Sequence, residues 1–198
     1  MPQWRMAEPV DFETLAGEHI AIVGPNGGGK SMHGDIIVER HPLLMNEPKF
    51  DFSPSNKELV SDNIKYITFK DSYGGDNDQT YYLQQRWNQT EIDKDTPTVG
   101  TKLEEAYALA GEDTPQRRKL QQHIYKMFCM EHFLDKYIIL LSSGELRKFK
   151  LAATLFSAPR VLIMDNPFIG LDAQTRDQLK ELLKTLSEEQ ALQIILVL

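Results

Sequence analysis

A single cysteine, Cys129, stands among the 198 residues. It has no partner for an internal disulfide, which excludes a disulfide-stapled scaffold and fits a reducing compartment. Long apolar runs are also missing: none approaches the roughly 18 residues that a bilayer-spanning helix requires. The opening MPQWRMAEPVDF lacks the basic region and apolar stretch of a secretory signal. Positive charge is in deficit, with 22 Lys+Arg against 29 Asp+Glu for a net charge of −7. That balance argues against a chain that coats nucleic acid. No internal repeat or low-complexity tract appears. What remains is an ordinary globular composition, 41% hydrophobic and 26% charged. One domain is expected, large enough to bury about 70% of its unfolded surface.

Strand and helix patterns alternate at both ends of the chain. HIAIV (19–23) is a short β-rich run entering Gly24, and a helix follows the glycine-rich loop up to about Arg40. IKYITF (64–69) alternates as a strand, and the polar stretch 71–80 is a loop containing the turn Asp76-Asn77-Asp78. Three helices come next. Thr101 and Glu104 form a T-x-x-E capping box, Thr114-Pro115 opens the second helix, and the third starts near Ser142/Ser143. VLIMD (161–165) has the continuous apolar pattern of a parallel strand buried on both faces. Asp172 caps a helix carrying Leu179, Leu182, Leu183 and Leu186, and IILVL (194–198) is a further buried strand. Phe12 and Cys129 are expected in the core, and Arg117-Arg118-Lys119 on a solvated helix face. The expected fold is therefore α/β: a parallel-sheet core formed by residues 1–95 and 158–198, with a helical insertion at about 96–157.

GPNGGGKS (24–31) matches G-x-x-x-x-G-K-[ST], with a strand before it and a helix after it. Gly24, Gly27, Gly28 and Gly29, with Pro25 and Asn26 between them, let backbone N–H groups turn inward around polyphosphate oxygens. The helix that follows aims its positive end at the same charge. Lys30 is expected at the β- and γ-phosphates of ATP, and the Ser31 hydroxyl on Mg²⁺. Asp165 ends the VLIMD run, where an acid on a neighbouring strand tip faces the phosphate loop and holds Mg²⁺ directly or through water. Alone, an Asp after an apolar strand is more often a helix cap. The phosphate loop is what makes it a metal candidate.

LSSGELRKF (141–149) followed by VLIMDNPFIGLD (161–172) resembles the signature motif, Walker B strand and D-loop of ABC-type ATPases. The three occur in family order after the phosphate loop, and the resemblance covers nearly the whole chain. The wording LLSSGELRK further resembles the soluble tandem ATPases of the molybdate-transport and photorepair group. The resemblance implies a P-loop fold with the helical insertion before the signature, across a single ATP-binding domain of residues 1–198. It also implies that Ser142, Ser143, Gly144 and Glu145 face the γ-phosphate of ATP held by a second ATPase domain, with Asp172 at the seam. That domain is a second copy or a tandem neighbour in a longer chain, and two ATP sites are completed only in a head-to-tail pair. The implied location is cytoplasmic, at the inner face of a membrane where a transporter subunit is the partner.

Four departures qualify this picture. Asn166 stands where a Glu usually polarises the attacking water, and an amide cannot accept a proton, so hydrolysis is expected to be slow. The chain stops at Leu198, and His19, His33, His41, His123 and His132 all stand in the wrong place for the switch histidine; either the chain is a fragment of a longer protein, the expected case, or that histidine is absent. Lys70-Asp71 replaces the glutamine expected after IKYITF, leaving Gln79, Gln84 and Gln85 as displaced candidates. The adenine-stacking aromatic falls to Trp4. Two readings stay open. One is the energy-coupling domain of a transporter, and the other a soluble ABC module, regulatory or DNA-associated, that uses ATP as a switch. The helical block lacks heptads, which speaks against a coiled-coil chromosome-maintenance protein.

Overall fold

The computed structural model describes residues 12–40, 48–53, 55–69, 97–189 and 192–198. Trp4, Lys70-Asp71, the 71–80 loop, Gln79, Gln84 and Gln85 lie outside the described residues. In chain order the elements are β1 (Ile20–Ile22), α1 (Lys30–Ile37), α2 (Val60–Asn63), β2 (Ile64–Thr68), α3 (Val99–Leu109), α4 (Pro115–Phe128), α5 (Ser143–Leu155), β3 (Val161–Asp165), α6 (Ala173–Glu189) and β4 (Gln193–Val197). Two short 3₁₀ turns, Met130–His132 and Ile138–Leu140, join α4 to α5.

The four described strands form one parallel sheet in the order β1-β4-β3-β2. Successive residues of β3 and β4 face opposite sides. Leu162, Met164 and Ile194 enter a large cluster with Leu103, Phe128, Leu151, Phe156 and Leu186. Ile163, Ile195 and Val197 enter a smaller one that includes Ile64, with Ile22, Ile37, Phe50 and Phe52 packed against it. Both faces are covered, which is why these strands are apolar apart from Gln193 at the start of β4 and Asp165 at the end of β3.

Several expectations are corrected here. β3 does not neighbour β1, because β4 lies between them, so Asp165 sits on the next-but-one strand from the phosphate loop. Thr101 does not open α3. Thr98 is the N-cap and accepts from the Thr101 N–H at 3.2 Å. The helix starts earlier because the Val99 and Gly100 N–H groups donate to the Lys136 and Leu134 carbonyls (2.9 and 2.8 Å), which satisfies donors that a first turn leaves free. Cys129 is exposed, since it ends α4 in a left-handed conformation (φ 51°) while Phe128 and Met130 on either side take the core. Phe12 is 41% exposed, on the segment leading into β1, which stands at the edge of the sheet among the described residues. The basic triplet is no freely solvated face either. Arg117 and Arg118 lie 4.2 and 4.4 Å from the Tyr107 ring centroid. Arg118 also pairs with Asp113 at 2.8 Å and Glu104 at 3.2 Å, closing the α3–α4 corner. The cap expected at Thr114-Pro115 is present, with Thr114 accepting from the Arg117 N–H.

Candidate nucleotide site

Parallel strands bring their carboxyl ends to one edge, where ligands of open α/β sheets bind. Three hydrogen bonds knit that edge across the sheet. Leu198 N donates to Ile22 O (2.9 Å), Asn166 N to Val197 O (2.8 Å) and Phe69 N to Asp165 O (3.0 Å). The tips of β1, β4, β3 and β2 are thus held in one line.

From this edge the loop Gly24–Gly29 leaves β1. Gly28 N donates to Pro25 O (3.1 Å), and a Cβ at Gly28 would lie 3.0 Å from that same oxygen. Gly27 and Gly29 both have φ 82°, the left-handed region where glycine carries no Cβ penalty. Gly29 is the N-cap of α1, and the first turn of α1 holds no acid to neutralise its positive end. Lys30 Nζ folds back over the loop and donates to the Gly24 and Pro25 carbonyls at 2.7 and 2.8 Å. Ser31 is the second residue of the helix. Asn26 is exposed at the tip.

Asp165 is fully buried at the end of β3. Its Oδ1 accepts from Asn166 Nδ2 at 2.6 Å and its Oδ2 from the Tyr66 hydroxyl at 3.1 Å. Asn166 has φ 55°, a conformation in which asparagine is several-fold enriched over most residues. Burial first, then the Asp165 charge, pushes the Tyr66 hydroxyl pKa well above its ordinary value, so the phenol stays a donor. Gly34 of α1 makes room for this ring, because a Cβ there would meet Tyr66 Cε2 at 2.7 Å. Arg40 covers the ring with its guanidinium 4.8 Å from the centroid. Sequence reasoning missed Tyr66. Only the register that sets Tyr66 opposite Ile163 and Thr68 opposite Asp165 reveals it. The two candidate donors, the Ser31 hydroxyl and the Asp165 carboxylate, are both oxygens, a chemistry that suits magnesium, a hard cation that takes one or two protein oxygens beside substrate phosphates. Among the described residues no cluster of three or more His, Cys, Asp or Glu forms a separate metal cage.

The signature residues open α5. Ser142 Oγ accepts from Glu145 N (3.2 Å) and Ser142 N donates to Glu145 Oε2 (2.9 Å), a reciprocal capping box. Lys136 Nζ holds Glu145 Oε1 at 2.7 Å. Burial raises the Glu145 carboxyl pKa, but Lys136 and the two Ser142 bonds together leave it below the usual carboxylate value. Glu145 is therefore turned back on its own helix. The N–H groups of Ser143 and Gly144, in the first turn, have no acceptor within the helix. A Cβ on Gly144 would approach Thr175 Cγ2 to 3.0 Å. Thr175 in turn donates through N and Oγ1 to Asp172 at 2.9 and 2.8 Å. Those bonds hold the Asp172 carboxyl pKa below its ordinary value and make Asp172 the cap of α6.

A family model described as ABC transporter matches residues 7–169. The chain is 32% identical over 183 residues to the ABC transporter ATP-binding protein ModF of Escherichia coli (strain K12), covering 92% of this chain and 34% of that protein. It is 36% identical over 195 residues to the taurine import ATP-binding protein TauB of Shigella boydii (serotype 4), covering 96% of this chain and 66% of that one. The chain thus spans a third of the first relative and under two thirds of the second. CbiO1 of Clostridium perfringens, part of the ABC transporter complex CbiONQ, shares the fold with a TM-score of 0.66 at 24% identity, over 95% of this chain and 69% of that chain. No helix among the described residues is long and apolar enough to cross a membrane.

Proposed function

The chain belongs to the ABC transporter family, and from that premise we propose that it binds Mg-ATP at the phosphate loop and pairs head to tail with a second ATP-binding domain. The observation that carries this reading is Lys30 Nζ, 2.7 and 2.8 Å from the Gly24 and Pro25 carbonyls inside a loop capped by left-handed Gly29. A polyphosphate entering the loop offers that ammonium stronger, charged acceptors. The loop N–H groups and the start of α1 take the remaining oxygens. Ser31 and Asp165 would hold magnesium, which neutralises charge between the terminal phosphates. Tyr66 and Asn166 keep the Asp165 carboxylate oriented.

Hydrolysis is slow in this reading. The Asn166 amide bonds Asp165 and has no basic site for the proton of an attacking water, and a placed general base contributes ~10²–10⁴-fold. The signature N-terminus at Ser142, Ser143 and Gly144 would complete the site of the second domain, with Glu145 acting by holding the cap. Relatives named as import proteins support a membrane transporter subunit as a further partner, which would place the chain at the membrane's inner face. Asn166 specifically favours the second reading, an ATP-dependent switch without rapid turnover. Residues 96–157 would be the helical subdomain in either case.

Sedimentation velocity with and without Mg-ATP, followed at nucleotide and protein wavelengths, tests the proposal. Nucleotide co-sedimenting with a dimer is the expected result. Nucleotide on a monomer would retain the ATP site and remove the self-pairing. No co-sedimenting nucleotide would overturn the proposal.

A further inference from the structure

We propose that Arg147 is a positioning residue that carries the state of the nucleotide site into the signature helix; the inference rests on the ATP-binding reading above. Arg147 lies in the second turn of α5 and is only 7% exposed. Its guanidinium leaves the helix for the turn that follows β3. Nε donates to Pro167 O at 3.0 Å, and a terminal nitrogen donates to Ile169 O. Both acceptors belong to the turn that starts at Asn166, closed by Ile169 N donating to Asn166 O at 3.2 Å. Asn166 is the residue whose amide holds Asp165. The same guanidinium sits 5.5 Å from the centroid of the Phe69 ring, and Phe69 N donates to the Asp165 carbonyl.

One buried cation therefore reads two segments, each directly bonded to Asp165. A guanidinium is a rigid planar fork, so its acceptors must keep their spacing for both bonds to survive. A buried cation that loses an acceptor carries a full desolvation cost, so the helix follows its acceptors when they move. One turn earlier, Gly144 packs on Thr175, which is bonded to Asp172 at the end of the same chain segment. The signature N-terminus thus rests on residues 167–175 at two points. When ATP and its cation engage Asp165, the Asn166 turn and Arg147 shift or stiffen together, and the start of α5 is set for a second domain's phosphate.

Amide hydrogen exchange of the whole chain, with and without Mg-ATP, tests this in wild type and in Arg147→Lys, which keeps a charge and loses the fork. Mg-ATP is expected to slow exchange several-fold in the first turns of α5 in wild type. In Arg147→Lys that slowing disappears, while slowing at Gly24–Ser31 is retained. A purely structural role would speed α5 exchange equally with and without nucleotide. Persistent nucleotide-dependent slowing in Arg147→Lys overturns the inference, as does an unresponsive α5 in wild type that binds ATP. Wild type that does not bind ATP overturns the functional reading instead. Should Arg147→Lys fail to fold, Phe69→Leu removes the ring beneath the guanidinium and keeps an apolar side chain there. The α5 slowing is expected to weaken in that variant, and full slowing counts against the proposal.

Discussion

Tyr66 and Asn166 divide the Asp165 carboxylate between them, one oxygen each. A hydrogen bond to a charged group contributes about 1.5–3 kcal/mol, and a half-buried phenol stands at the lower end of that range. Tyr66→Phe should therefore lower the unfolding free energy by about 1.5 kcal/mol. A denaturant double-mutant cycle with Asp165→Asn isolates the pair. A coupling energy near zero would show that the 3.1 Å bond contributes nothing. Asn166 also holds φ 55°, tied by its N–H to Val197 O and by its carbonyl to Ile169 N. Glutamate at that φ costs roughly 1–2 kcal/mol. Asn166→Glu is expected to unfold at lower urea than wild type yet release phosphate from ATP faster, and a variant without that gain would show that the missing base does not limit turnover. The chemical departure at Asn166 was legible in the sequence, because the motif marks the position. Its backbone conformation was not, since it depends in part on Val197 of β4, which is remote in sequence.

Capping signals were readable where the cap and its partner are local, and failed where they are not. Ser142 and Glu145 supply both halves of their box within one turn, so LSSGE announced α5 correctly. The T-x-x-E at Thr101 was overruled by the chain at 134–136, whose carbonyls take the Val99 and Gly100 N–H groups and lengthen α3 at its start. The Glu145 carboxyl has a pH consequence. Its folded pKa is depressed below the ordinary 4.5, so its contribution to stability is present above that value and fades as pH falls through the lower folded one. Glu145→Gln should flatten the fall of melting temperature below about pH 4.5 and lower the melting temperature at neutral pH. Melting curves from neutral to acid pH check both, and an acid limb as steep as wild type would place the titration elsewhere.

Strand order is a property of the whole molecule. The apolar runs VLIMD and IILVL announced strands covered on both faces, and that is how they pack. Nothing local says that the last strand in the chain slots between the first and the Asp165 strand, because hydrogen-bond partners in a parallel sheet leave no periodic mark on either sequence. The placement matters for function, since β4 spaces the phosphate loop from Asp165 and bonds both tips through Val197 and Leu198. Ile195 stands at the centre of this arrangement, 1% exposed and opposite both Ile20 and Ile163. Ile195→Ala should cost about 2–5 kcal/mol, whereas Leu109→Ala, at a residue 89% exposed, should fall within roughly 0.5 kcal/mol of wild type. A ligand that binds only the folded state returns about 2.7 kcal/mol at a hundredfold excess over its dissociation constant. Mg-ATP should therefore raise the melting temperature of Ile195→Ala, and the rise should vanish when Lys30→Met is added, because the polyphosphate then meets a loop without its ammonium. Thermal melts of the single and double variants decide the matter. Equal rescue in both would mean that the nucleotide is held somewhere other than the loop Gly24–Ser31.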